Sequence, residues 1–97
     1  MAKYVVLLNW TEQGRRTAKD TVTRFEQARD AFQQIGISFD TIVWTMGRYD
    51  MVAIVDAPDD ETVAMAMAQL GSAGNVSTET LRGFTADEVR SLIQKMR

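Results

Sequence analysis

Few side chains in this 97-residue sequence are suited to catalysis, because it contains no cysteine and no histidine. Ser-His-Asp and Cys-His catalysis, haem ligation by histidine and the common transition-metal centres all need a base or ligand that is neutral near pH 7. The composition therefore excludes them. The acidic cluster Asp59–Glu61 is typical of a helix N-terminus and not of a metal site. We therefore expect no metal and no cofactor.

The segment Thr45–Asp50 is the most distinctive candidate for a functional loop. Gly47 supplies the backbone angles of a tight turn, and the Asp50 carboxylate can accept hydrogen bonds from turn amides, which favours a structural role. Alternatively, Tyr49 and Asp50 lie at the rim of a cavity, where a hydroxyl and a carboxylate would contact a bound molecule. The sequence leaves both interpretations open.

Aromatic side chains with one polar tip are common walls of apolar pockets. Tyr4, Trp10 and Trp44 have matching parity along their predicted strands, so together they could line one apolar cavity. Packing in the core or at an interface is the simpler interpretation of each. Arg82 belongs either to a solvated edge strand or to a site for an acidic ligand, and Glu79 is either a surface charge or a base. The predicted ligand-binding residues are Tyr4, Trp10, Trp44, Tyr49, Asp50 and Arg82.

Hydrophobic periodicity predicts that the elements carrying these residues follow the order βαββαβ. The predicted strands are Tyr4–Leu8, Ile37–Met46, Met51–Val55 and the edge strand Asn75–Arg82. Apolar residues at steps of three and four from Ala18 to Ile35 predict the first helix, which begins at Thr17 or Thr21 after an irregular segment. A second helix follows Pro58 and carries acidic residues in its first turn.

A C-terminal helix is the best-marked element of the sequence. Thr85 and Glu88 have the spacing of a capping box, and Phe84 occupies the first position of a hydrophobic staple. The apolar stripe of this helix consists of Val89, Leu92, Ile93 and Met96. We therefore predict a single α+β, ferredoxin-like βαββαβ domain over residues 1–97, with an antiparallel four-stranded sheet and this additional helix.

Both faces of the predicted sheet are apolar, since Val6 and Leu8 alternate with Val5 and Leu7 in the first strand. Right-handed crossovers place the first two helices on one face, and the C-terminal helix can cover only part of the other. An uncovered Val or Leu forgoes about 1.5 to 3 kcal/mol, a large fraction of the roughly 5 to 15 kcal/mol that stabilises a domain. We therefore expect a homodimer or higher homo-oligomer in which a second subunit packs sheet to sheet.

The hairpin and the segments around it carry a family resemblance. Residues Thr45–Asp50, Met51–Val55 and Ala57–Asp60 resemble the GYD domain family, which is named for a Gly-x-Tyr-Asp-like hairpin. The resemblance extends over nearly the whole chain and includes Leu8–Gly14 and Gly74–Leu81. It implies a ferredoxin-like domain with a dimeric α/β barrel-type assembly, and it implies no particular reaction or substrate.

Charge and hydropathy narrow the possible partners. The sequence has 11 basic and 13 acidic residues, a net charge of -2, and no basic stripe, so we expect no nucleic acid partner. No segment approaches the about 18 apolar residues of a membrane span, and the N-terminal residues lack an Ala-x-Ala-type cleavage signal. We therefore expect no membrane contact and a cytoplasmic protein.

Three hypotheses of function are compatible with these patterns. The leading one is a non-catalytic homo-oligomer that binds a small, largely apolar molecule between sheets or subunits. The second is a cofactor-free enzyme, monooxygenase-like or isomerase-like, which rests on analogy of fold alone. The third is a structural partner subunit.

Overall fold

The computed structural model describes residues 1–97 and contains one four-stranded antiparallel sheet with helices. The strands are β1 (Ala2–Trp10), β2 (Ser38–Trp44), β3 (Met51–Ala57) and β4 (Val76–Gly83). The helices are α1 (Glu12–Arg16), α2 (Thr21–Gln33), α3 (Asp60–Ser72) and α4 (Ala86–Gln94), with a 3-10 turn, Ala18–Asp20, between α1 and α2. This order confirms the predicted ferredoxin-like α+β fold with a C-terminal helix.

The strands pair in the order β2-β3-β1-β4, and every neighbouring pair is antiparallel. Central strand β1 places Val6 opposite Ala53 on β3 and opposite Thr80 on β4. A β-bulge interrupts the pairing of β2 with β3 between Phe39 and Thr41. The outer strands are therefore β2 and β4, and the predicted edge position of β4 is confirmed.

The core lies between one face of the sheet and helices α2 and α3. Alternate residues of the two central strands are buried there, because successive side chains of a strand point to opposite faces. Phe32 from α2 and Val63 and Ala66 from α3 cover these residues. The buried strand residues are Tyr4, Val6, Leu8, Met51, Ala53, Val55 and Ala57. We call this side of the sheet the helix face.

Helix α2 begins at Thr21, one of the two predicted starts, but without the predicted cap. Asp20 occupies the N-cap position and makes no side-chain capping hydrogen bond, so neither Thr17 nor Thr21 caps this helix. The preceding segment, expected to be irregular, forms the short helix α1. Thr11 caps it, and its Oγ1 accepts a hydrogen bond of 3.1 Å from the Gly14 amide. A hydroxyl at the end of β1 thus starts a helix that apolar periodicity could not indicate.

The C-terminal helix has the predicted cap but lacks extensive packing. Thr85 Oγ1 accepts from the Glu88 amide at 3.2 Å, and Glu88 Oε1 accepts from the Thr85 amide at 2.9 Å, which confirms the capping box. No residue of α4 is buried. The radius of gyration of 14.7 Å accordingly exceeds the about 12.5 Å expected for a compact domain of this length. None of the helices has the length and apolar character of a membrane span.

Candidate functional site

The start of α1 and the start of β4 meet in one hydrogen-bonded corner. The Thr11 amide donates to the Asn75 carbonyl at 3.0 Å, and Thr11 Oγ1 donates to the Gly74 carbonyl at 2.5 Å. A Cβ atom on Gly14 would lie 2.0 Å from the Asn75 carbonyl oxygen, so only glycine fits there. Residues that carry the GYD resemblance in two distant segments are therefore in contact, and their role at this corner is architectural.

Asp50 links the hairpin to the end of β1. Its Oδ2 accepts a hydrogen bond of 2.9 Å from the Trp10 amide, and its own amide donates to the Leu8 carbonyl at 3.0 Å and to Asn9 Oδ1 at 3.2 Å. These bonds continue the pairing of β1 with β3 beyond the last strand residues. The structure thus gives the Asp50 carboxylate a definite structural partner, and ligand binding by this residue stays a prediction.

The rest of the hairpin loop is a solvent-facing turn. Gly47 has a φ of +96°, the left-handed conformation that favours glycine, as the sequence predicted. Thr45 Oγ1 donates to the Tyr49 carbonyl at 2.5 Å, and the Arg48 guanidinium lies 5.8 Å from the centre of the Tyr49 ring. Met46 was predicted to lie within the second strand, but it falls beyond the end of β2 and is 98% exposed. Ligand binding by Tyr49 stays a prediction as well.

The two tryptophans meet on the helix face. Trp10 Nε1 and Trp44 Nε1 both donate to Thr21 Oγ1, at 3.3 Å and 3.0 Å. The Trp44 ring also contacts Phe25 edge-on, with 6.0 Å between ring centres. Since Thr21 is the first residue of α2, the indoles attach this helix to the sheet. Both indole N–H donors are therefore already satisfied within the chain.

Tyr4 and Arg82 lie together at the opposite end of β1. The buried Tyr4 hydroxyl donates to the Asp60 carboxylate at the start of α3, and this hydrogen bond raises the pKa of Tyr4 above its ordinary value. The Arg82 guanidinium lies 5.5 Å from the centre of the Tyr4 ring and 4.5 Å from that of Phe84. It also donates to the Lys3 carbonyl at 3.3 Å. Arg82 therefore packs across two aromatic rings and binds backbone in the chain itself.

The six predicted site residues do not form one site. Tyr4 and Trp10 are six residues apart on one strand, a separation of about 20 Å. Their side chains and that of Trp44 lie on the helix face, so they cannot line a space between the open faces of two packed sheets. None of the six lines the apolar cavity that lies between α2, α3 and the sheet. Strand parity indicated a shared face correctly, but it carried no information about distance along the strand.

The other face of the sheet is apolar and has no cover within the chain. Val5 pairs with Ile54 and with Leu81, and Val52 pairs with Leu7 and Val43, so side chains from all four strands are adjacent. Each of them is partly or fully exposed. We call this surface the open-face patch, and it consists of Val5, Leu7, Val43, Val52, Ile54 and Leu81. The prediction that both faces of the sheet are apolar is confirmed.

Charged side chains border the open-face patch at the start of β1. Lys3 Nζ lies 3.1 Å from Asp56 and 3.2 Å from Asp40. These hydrogen bonds, that of Asp56 first, raise the pKa of Lys3 above its ordinary value. Glu79 is exposed opposite Leu7 on the same face. The border carries both signs of charge, which suits contact with a surface of the same composition.

A second uncovered apolar surface runs along α4. We call it the α4 stripe; it consists of Val89, Leu92 and Ile93 of the helix and Met96 just beyond its end. They are 40, 48, 58 and 74% exposed. The other side of the helix carries a surface ion pair between Asp87 and Arg90. An amphipathic helix whose apolar side contacts solvent is typical of a protein-binding element.

Comparison with known proteins identifies the family of this chain. The GYD domain matches residues 4–93. A protein of Thermus thermophilus, named "Glutamine synthetase and cystathionine beta-lyase binding protein", is 32% identical over 85 residues, which cover 87% of this chain and 90% of that protein. The family match covers β2, β3 and β4 completely, β1 from Tyr4 onward, and nearly all of α4. This chain belongs to the GYD domain family.

Proposed function

We propose that this protein is a homo-oligomeric binding protein whose function is to associate with other proteins, in particular with a metabolic enzyme. The observation that carries the proposal is that the open-face patch and the α4 stripe have no cover within the chain. Contiguous exposed apolar surface of this kind marks sites of protein association. The name of the Thermus thermophilus relative supports a protein-binding role and suggests the class of partner.

The occupant that best fits the open-face patch is a second copy of this chain. A two-fold dimer brings the same patch of each subunit together, and an apolar sheet face with mixed charges at its border is complementary to itself. Four strands of about seven residues present a face of roughly 20 by 23 Å, or about 450 Å². A stable interface buries about 800 Å² on each partner. The sheet alone therefore falls short, and the α4 stripe supplies the missing apolar area.

In the homodimer, α4 of each subunit would extend across the partner subunit and pack on it. A helix that packs extensively on no element of its own chain keeps its apolar side available for another one. Packing of helical anchors at i, i+3, i+4 and i+7 onto an apolar surface is a common mode of recognition. In this arrangement each subunit covers part of its partner's open-face patch, and both uncovered surfaces are buried at once.

Sedimentation velocity at micromolar concentration tests the oligomer. The native protein should sediment as a multiple of 10.9 kDa, whereas Val52→Lys, in the centre of the open-face patch, should sediment as a monomer. Ile93→Lys, in the α4 stripe, should weaken assembly. Val22→Lys is the matched control, because Val22 is an exposed valine of α2 outside both surfaces. A native monomer, or a dimer unaffected by Val52→Lys, would contradict the proposed interface.

Surface plasmon resonance with purified enzymes tests the partner class. We expect immobilised glutamine synthetase or cystathionine beta-lyase, from the organism that encodes this chain, to bind the native protein at micromolar or lower concentration. A purified enzyme of unrelated pathway and similar charge serves as the control. Absence of binding to both enzymes would contradict the enzyme-binding part of the proposal and leave the oligomer to be judged by sedimentation.

A further inference from the structure

The helix layer contains an apolar cavity, partly open to solvent, that the proposed association does not use. It has a volume of about 330 Å³, and 15 of its 19 lining residues are hydrophobic. Val6 and Ala53 form part of its floor on the sheet, while Ala28 on α2 and Met67 and Leu70 on α3 form part of its walls. The cavity therefore lies within one subunit, on the opposite side of the sheet from the open-face patch.

The cavity follows from how the two long helices are placed. Helix α2 lies over β2, and α3 lies over β3 and β4, which leaves space between the helices above the centre of the sheet. Small side chains at Ala28, Ala53 and Ala73 line that space without filling it. Protein interiors are normally close-packed and leave few voids larger than a water molecule. A volume within the range of small-molecule sites, about 300 to 1,000 Å³, is thus unusual for a core of only 12 buried residues.

The polar residues of the lining include one cation. Arg24 lines the cavity from the first turns of α2, near Thr21 and Asn75. Its guanidinium donates to the Thr17 carbonyl at 2.7 Å and to the Gly14 carbonyl at 3.2 Å, and these bonds hold it in place. No carboxylate of the chain lies within 4.0 Å of it, since none of the ion pairs includes Arg24. A positive charge that forms no ion pair and is held by hydrogen bonds therefore borders an apolar space.

We propose that the cavity binds one amphipathic carboxylate, with its apolar body between α2, α3 and the sheet and its carboxylate at Arg24. An apolar cavity of about 150 Å³ holds one benzene molecule, so a space of twice that size suits a chain of about ten carbons or two fused rings. An arginine can bind a carboxylate through its remaining N–H donors without losing its bonds to backbone carbonyls. The site is independent of oligomerisation, because its lining comes from one chain.

Isothermal titration calorimetry with decanoate and with decan-1-ol, both below the concentration at which they aggregate, tests the site. We expect decanoate to bind with a dissociation constant in the micromolar range and decan-1-ol to bind at least tenfold more weakly. Ala28→Phe fills the cavity and should weaken decanoate binding at least tenfold. Met67→Trp fills it from the opposite wall and should do the same. Ala68→Phe, on the exposed side of α3, is the matched control and should bind like the native protein.

The role of Arg24 is tested by the preference of the site for decanoate over decan-1-ol. Arg24→Gln should reduce the preference for decanoate over decan-1-ol to less than threefold. Amide spectra of each variant verify that it is folded before binding is measured. Absence of saturable decanoate binding to the native protein would overturn the proposal, as would binding that neither filling variant weakens. Binding that survives both filling variants but is lost in Val52→Lys would place the ligand on the open-face patch and would overturn it too.

Discussion

Val5 and Val6 are adjacent residues of the same type on the same strand, yet they have different surroundings. Val6 lies on the helix face and is 2% exposed, whereas Val5 lies in the open-face patch and is only partly buried. The two faces of the sheet are similarly apolar, and they differ in whether helices cover them. The stability of the single chain therefore depends mainly on the helix face, and the open face is available for association.

Polar contacts are frequent on the helix face of the sheet and sparse on the open face. Thr21, Asp50 and Asp60 each join a helix or a turn to the sheet on the covered side, and no buried side-chain polar atom lacks a hydrogen-bond partner. The open face has only its bordering charges, and α4 has its cap and surface ion pair. Within the single chain, polar contacts therefore fix the helix face, whereas the open face has few polar contacts of its own.

Truncation of one isoleucine on each face gives the largest expected contrast. Ile37 is 1% exposed in the helix-face core, so Ile37→Ala should lower the free energy of unfolding by about 2 to 5 kcal/mol. Ile54→Ala, in the open-face patch, should cost less than half as much in dilute solution. Urea denaturation at low protein concentration measures both values. Equal losses would mean that the two faces contribute equally to the single chain and would break the comparison.

Two glycines test the close approach at the corner between α1 and β4. Gly14→Ala should destabilise the protein by about 1 to 3 kcal/mol or more, because the new Cβ would overlap the Asn75 carbonyl. Gly71→Ala is the control, since nothing lies within 4 Å of the position of its Cβ in α3. It should stabilise the protein by about 0.4 to 1 kcal/mol. Thermal denaturation measures both, and a neutral Gly14→Ala would show that the corner can move apart.

Asp50 separates the structural interpretation of the hairpin from the ligand-binding one. Asp50→Ala leaves the Trp10 amide without its acceptor and should cost about 1 to 3 kcal/mol. Asp50→Asn keeps an acceptor oxygen and should cost less. Chemical denaturation of both variants provides the comparison. If both leave stability unchanged, the carboxylate is not required for the hairpin, and its predicted ligand role gains weight.

The cap of α4 has the smallest expected effect. Thr85→Ala removes the hydroxyl that accepts from the Glu88 amide and should cost about 1 kcal/mol. The effect should be confined to α4, because this helix packs extensively on no other element. Hydrogen exchange of the α4 amides should accelerate while that of β1 stays unchanged. Faster exchange in β1 as well would mean that α4 is coupled to the core of the single chain.

Acid should weaken the N-terminal caps of α4 and α3. The hydrogen bond from the Thr85 amide lowers the pKa of Glu88, and those from Thr62 lower the pKa of Asp59. A carboxyl group whose pKa is lowered by folding stabilises the protein at pH values above the pKa of that group in the unfolded chain. This contribution is lost as the pH falls through the pKa of the group in the folded protein. We expect stability to be constant from about pH 5 to neutral pH and to fall below pH 4.5, the ordinary pKa of a glutamate such as Glu88. Glu88→Gln should reduce the part of this dependence that comes from α4.

Elements with strong local signals were predicted well from the sequence. The structure confirms the Thr85 capping box, the Gly47 turn and the apolar alternation of β1. Each of them depends only on residues that are close together in the chain. The predicted cap of α2 was wrong, because Asp20 occupies the N-cap position and the Thr21 hydroxyl instead accepts hydrogen bonds from the indoles of Trp10 and Trp44, which belong to distant segments. The cavity behind Ala28 was not predicted, since it depends on the spacing of two helices across the sheet.

The sequence by itself determined the order of elements, the antiparallel sheet and the apolar character of both its faces. These properties follow from periodicities of two and 3.6 residues and from local capping and turn residues. The tertiary structure decided which face of the sheet the helices cover, and it placed Tyr4 and Trp10 in separate clusters on that face. It also left α4 without extensive packing. The physical reason is that burial depends on contacts between residues far apart in the chain, which no local pattern specifies.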